Sequence, residues 1–137
     1  MSNLMNPLDD PFTQEIIGMI KDRLVDGKLP CAVAFDIADI KQISGHTIGD
    51  IANLIGIKIN KCQLGLFGHS PEKKTVKVLN RVKPILKEAV QTMGYNNVIK
   101  CLDVWMIGRR LGIDKLHVSG ACETFGIKIK ECQLGAF

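Results

Sequence analysis

GIKINKCQLGLF at residues 56–67 returns as GIKIKECQLGAF at residues 126–137, displaced by 70 positions. Carried back without a gap, the same displacement sets Cys31 over Cys101, Phe35 over Trp105, Ile37 over Ile107 and Ile43 over Ile113. Across 31–67 and 101–137 it yields twelve identities in 37 positions, too many for chance at one fixed displacement. Further back the identities vanish and the apolar pattern persists. Phe12, Ile16, Met19 and Ile20 stand over Val82, Leu86, Ala89 and Val90. The chain therefore reads as two copies of one unit, 1–70 and 71–137, joined by the short GHSPEK at 68–73.

Within a copy the helix signals come first. Asp10 followed by Pro11 is a helix start, and the spacing predicts a helix to about Val25, stopped by Asp26-Gly27. Asn96-Asn97 takes the same place in the second copy, whose leading helix is expected to start at Ser70-Pro71-Glu72 and to kink near Pro84. Apolar residues at 33, 34, 37, 38, 40 and 43 form a helical stripe. Ser44 then caps a further helix from about Thr47 to Ile55 that buries Ile48, Ile51 and Leu54. In the second copy residues 101–111 are helical, Leu111-Gly112-Ile113 makes the turn, Asp114 caps, and Val118 and Ala121 face inward. A small residue, Ala38 or Gly108, lets the two helices cross closely. Ile57-Lys58-Ile59 and Ile127-Lys128-Ile129 alternate as half-buried strands do. Each tail either folds back through its Cys-Gln-Leu segment as a small wing or pairs with the other tail. The expected fold is mainly α, with two tandem copies of a three-helix unit, each ending in a short extended or β tail.

IADIKQISGHTIGDIANLIGIKI (37–59) and IGRRLGIDKLHVSGACETFGIKI (107–129) resemble the bihelical element of prokaryotic helix-turn-helix DNA-binding regulators, with the tail as a winged-helix-like appendage. In that family the second helix enters the major groove while the first crosses the backbone. The resemblance implies a non-catalytic transcriptional regulator whose partner is double-stranded DNA, bound by a monomer or a homodimer. It implies His46, Thr47, Asp50 and Asn53 as groove-facing residues in the first copy, and Lys115, His117, Ser119 and Glu123 in the second. Asn53 would pair with adenine and Glu123 would accept from cytosine. Arg109, Arg110, Lys128 and Lys130 would meet phosphates. The second copy matches the pattern better at its turn, since the first has Gln42 where glycine is usual, a strain of roughly 1 kcal/mol.

Charge favours the second copy as well. The net charge is +4, but residues 1–70 carry six Lys/Arg against eight Asp/Glu, and residues 71–137 carry twelve against six. Attraction to a polyanion is therefore expected mainly from the second half, where Lys73, Lys74, Lys77, Arg81, Lys83 and Lys87 also cluster. Other classes find little support. No apolar run approaches a membrane span of ~20 residues, and MSNLMNPLDDPF has neither the basic start nor the apolar stretch of a secretory signal. The expected location is the cytoplasm. Neither GxGxxG nor GxxxxGK[ST] occurs, and His46, His69 and His117 stand in no catalytic motif. Neither an enzymatic role nor a cofactor is expected.

The five cysteines include no CxxC pair, yet Cys31 and Cys62 recur as Cys101 and Cys132. Repeated packing accounts for them most simply. A thiol-based redox or metal-responsive site built on those four is the weaker alternative. The main alternative to DNA binding is a non-catalytic protein-interaction or assembly module.

Overall fold

Asp26-Gly27 and Asn96-Asn97 adopt positive φ at both residues, 54° and 73° in the first pair and 53° and 61° in the second. The flanking residues, Val25 with Lys28 and Tyr95 with Val98, exchange two backbone hydrogen bonds of 2.8 and 3.0 Å in each case. Left-handed backbone at both central positions is the signature of a tight reverse turn that matches strand twist. In the computed structural model, which describes residues 7–71 and 73–137, these dipeptides thus lead the chain into a strand rather than merely stopping a helix. The first helix, α1 (Pro11–Asp22), has already ended before the turn, and Asp10 caps it by accepting from the Thr13 N–H at 3.1 Å.

The elements then follow as β1 (Leu29–Pro30), α2 (Cys31–Lys41), α3 (Gly45–Leu54), β2 (Ile59–Asn60), α4 (Pro84–Met93), β3 (Val98–Lys100), α5 (Cys101–Leu111), α6 (Lys115–Thr124) and β4 (Lys128–Lys130). The described chain is mainly helical. α2 and α5 bury the same positions: Cys31, Ala34, Ile37 and Ala38 in one, Cys101, Val104, Ile107 and Gly108 in the other. Both turns after these helices use left-handed backbone, at Gln42 (φ 57°) and Gly112 (φ 67°). A Cβ on Gly108 would come within 2.7 Å of the Ile113 carbonyl oxygen, so the close crossing depends on the missing side chain. Ser44 caps α3 through the Thr47 N–H at 3.2 Å, whereas Asp114 holds the cap position of α6 without a side-chain bond. Leu54, expected to be buried, is exposed.

Two other expectations change. The helix anticipated from Ser70-Pro71-Glu72 starts only at Pro84, and Glu72 itself lies outside the described residues. Proline disfavours helical backbone in the residue before it and is tolerated at the first helical position, so Pro84 starts a helix instead of kinking one. Nor does the tail fold back as a hairpin wing. β2 runs parallel to β1, with Leu29 opposite Ile59, and β4 runs parallel to β3, with Ile99 opposite Ile129.

Beyond those strands the tails cross. Lys61 and Glu131, at equivalent positions, take φ of 49° and 51° and redirect the chain. Cys62 and Leu64 then enter the hydrophobic cluster of α4, α5 and α6, with Leu66 and Phe67 packed against it. Leu134 enters the cluster of α1, α2 and α3, with Cys132 packed against it. Each core is therefore completed by the other half's Cys-Gln-Leu-Gly segment. Equivalent aromatic residues meet between the halves: Phe35 with Trp105 at 4.5 Å and Phe67 with Phe137 at 5.9 Å between ring centroids. Equivalent residues touch one another only near a two-fold axis, so the halves are related by an approximate one.

Candidate functional site

α3 and α6 are each approached by a backbone carbonyl of the opposite tail. In α6 the Ser119 hydroxyl donates to the Leu64 carbonyl at 2.7 Å, and Ser119 is 1% exposed. At the equivalent place in α3 stands Gly49, where an added Cβ would land on the Leu134 carbonyl oxygen. A carbonyl from the opposite tail thus lies on each second helix. The expectation that Ser119 faces outward is corrected: the tail covers it.

The two helices differ one residue further on. Asp50 is exposed, while its counterpart Gly120 is buried under the segment that links the halves. A Cβ on Gly120 would sit 3.0 Å from the Lys77 carbonyl oxygen and 3.1 Å from the Leu79 side chain. That linking segment is an extended strap rather than a helix. Thr75 and Val76 donate to the Gly65 carbonyl at 2.8 and 3.0 Å. Leu79 N–H donates to the Thr124 hydroxyl at 2.7 Å, and Lys74 Nζ pairs with Glu123 at 2.7 Å. Glu123 is therefore already engaged. Sequence reasoning missed the strap, although one signal was present: a glycine at 120 opposite an aspartate at 50 marks a close backbone approach in one half only.

The remaining predicted residues are more open. His46, Thr47 and Asn53 are exposed on α3, with His46 Nδ1 3.2 Å from Asp50 and the Thr47 hydroxyl 3.0 Å from that of Ser44. Arg109 and Arg110 are exposed in the last turn of α5, where cations complement the helix dipole. Lys115 is drawn inward, its Nζ 3.8 Å from the Trp105 ring centroid, in cation–π contact. His117, Lys128 and Lys130 are exposed.

Two grooves flank the second helices. The larger, of about 620 Å³, takes in Gly126–Lys130 together with Ser119, Glu123, Lys74, Leu66, Phe67 and Phe137. Its counterpart beside β2, of about 450 Å³, takes in Asp50, Asn53, Lys58 and Gly135. Of the predicted residues, the structure gathers Ser119, Glu123, Lys128 and Lys130 in one groove. Arg109, Arg110 and His117 line neither.

Cys31, Cys62, Cys101 and Cys132 do come together, around a closed gap of only about 10 Å³, about the room of one water molecule. Burial pushes the Cys31 thiol up from 9.0 to about 11, and it raises that of Cys101 in the same way, partly offset by amide hydrogen bonds from Gln63 (3.4 Å) and Gln133 (3.5 Å). Neutral, desolvated thiols are poor ligands and poor nucleophiles. Among the described residues no group of three or more His, Cys, Asp or Glu is placed to hold a metal ion. No helix among them is long and apolar enough to cross a membrane. Comparison with protein-family models, curated proteins and solved structures finds no match to the chain.

Proposed function

We propose that this chain is a tandem pair of helix-turn-helix units serving as a non-catalytic protein-interaction module. One observation carries the reading. The outer face of α6, which a DNA reader turns toward bases, carries the Leu64 carbonyl on Ser119 and the strap over Gly120, while on α3 the Leu134 carbonyl covers Gly49 alone. Phosphate and base contacts need side chains free to approach the duplex. Ser119 and Glu123 are bound within the fold instead. What stays open is a groove walled by apolar side chains, the form in which interaction sites usually occur. The five unpaired cysteines support a reducing compartment such as the cytoplasm.

The test pans the intact protein against a displayed library of random peptides and maps the contacts of selected ligands by hydrogen exchange. Ligands that protect 126–130 support the module. Failure to enrich any ligand would overturn it.

A second reading keeps duplex DNA as the partner, because His46, Thr47, Asp50 and Asn53 remain exposed on one stretch of α3. There the first half would read bases and Arg109, Arg110, Lys128 and Lys130 would supply cations, with a homodimer bringing two such helices to one site. On that reading, replacing Arg109 and Arg110 together with Ala weakens binding and lowers its salt dependence by roughly two phosphate contacts. Asp39→Ala has little effect.

A further inference from the structure

The groove beside β4 is shaped for one kind of occupant, an inference that rests on the interaction-module reading. Five consecutive residues, Gly126 to Lys130, line it. Successive strand side chains point to opposite faces, so a groove touched by all five lies along the edge of the strand. Among the described residues β4 pairs with β3 alone. Lys128 donates its N–H to Asn97 at 2.8 Å, toward β3. Because a parallel ladder alternates, Ile129 turns its own N–H and C=O the other way, into the groove. An unpaired strand edge is a template for another strand.

The walls and rim define the rest. Leu66, Phe67 and Phe137 contribute apolar surface to the lining, and Lys74, Lys128 and Lys130 contribute positive charge. Glu123, the carboxylate in the lining, is matched by Lys74, which leaves the positive charge of Lys128 and Lys130 in excess. The groove beside β2 has no such excess, since Lys58 and Asp50 both line it. Lysines also guard bare edges against aggregation, but a guarded edge has no need of a 620 Å³ groove walled by two phenylalanines. Those rings pack edge to face on each other at 82°, which suits aliphatic side chains better than stacked bases.

We propose that this groove binds an acidic, extended peptide of a partner protein, added as a strand to the free edge of β4. Its main chain bonds Ile129, its apolar side chains meet Leu66, Phe67 and Phe137, and its carboxylates face Lys128 and Lys130.

The test measures fluorescence anisotropy of a labelled peptide of alternating Asp and Val with the intact protein. Comparison ligands are the same peptide N-methylated at alternate residues, its Lys-for-Asp counterpart, and a thymidine oligonucleotide. Saturable binding of the acidic peptide is expected, weakened by about tenfold or more by N-methylation. The double change Lys128→Glu with Lys130→Glu, at two exposed positions, is expected to weaken it comparably without altering the melting temperature, and Lys58→Glu to leave it unchanged. Equal binding of the N-methylated peptide would overturn strand addition. An equal effect of Lys58→Glu would overturn the placement. Tighter binding of the oligonucleotide would replace the peptide by a nucleic acid. If library-selected ligands bind elsewhere while the acidic peptide does not bind, this proposal fails and the module reading survives. If neither binds, both fail.

Discussion

Gly49 shows how much of this fold hangs on single atoms. Gly49→Ala places a methyl group on the Leu134 carbonyl and must displace the crossed tail, so unfolding stability should fall by about 1–3 kcal/mol. Gly18, a helical glycine with open space around it, is the matched control, and Gly18→Ala should leave stability equal or slightly higher. Urea titrations of both variants check the pair. The thiols make a second test. Burial raises Cys31 to about 11 and Cys122 to about 12, from 9.0, and raises Cys101 as well. The folded state then holds protons that the unfolded chain releases near 9. This stabilisation is complete below about 9 and is lost as pH rises through about 11 to 12. Urea midpoints should be flat up to about pH 9 and fall above it, and Cys122→Ala should make that fall shallower. An unchanged slope in the variant would remove Cys122 from the explanation.

The strap across α6 is the element that most separates the two halves. Gly120→Asp, which gives α6 the residue that α3 has at Asp50, sets a side chain where the Lys77 carbonyl lies and should lift the strap. Trypsin should then cut at Lys73, Lys77 and Arg81 several-fold faster while the helical circular dichroism is retained. Cutting at the wild-type rate would show that the strap does not depend on that close approach. Much at this scale was legible in the sequence. Periodicity and caps located α2, α3, α5 and α6, because those helices follow local rules: Ser44 as a cap, Gly112 at a left-handed turn, Ala38 and Gly108 at a close crossing. The strap was not legible. Lys73, Lys74, Lys77 and Arg81 resemble a helix surface, and only the tertiary bonds to Gly65, Glu123 and Thr124 show the segment extended. The tight turns were half legible, since Asp26-Gly27 and Asn96-Asn97 announce positive φ without saying whether a helix end or a strand follows.

At the scale of the molecule the crossed tails bind the halves into one structure. Deleting 132–137 should therefore loosen α1, α2 and α3, which are remote in sequence, more than the adjacent α6, because Leu134 belongs to their core. Losing that one buried leucine costs about 2–5 kcal/mol, and hydrogen exchange should show amides of 31–52 opening first. Periodicity could not reveal this exchange. A repeat gives both halves the same pattern and leaves open which core each tail completes. The candidate site was obscured for the same reason: residues facing away from the buried stripe looked free, but on α6 the partner tail and strap take that side. Lys128 and Lys130 were found by charge, yet as phosphate contacts rather than as the rim of a groove. The central claim is that the outer face of α6 is engaged within the fold, and the proposal built on it is that the chain binds a protein partner rather than reading DNA. Its most direct test is a nuclear magnetic resonance titration of the intact protein with a pool of short duplexes at low salt. The account predicts no sequence-selective shifts at His46, Asp50, Asn53 or His117, and any weak shifts near exposed lysines should vanish as salt is raised. Saturable, sequence-selective shifts centred on those four residues would contradict it and restore DNA reading as the function.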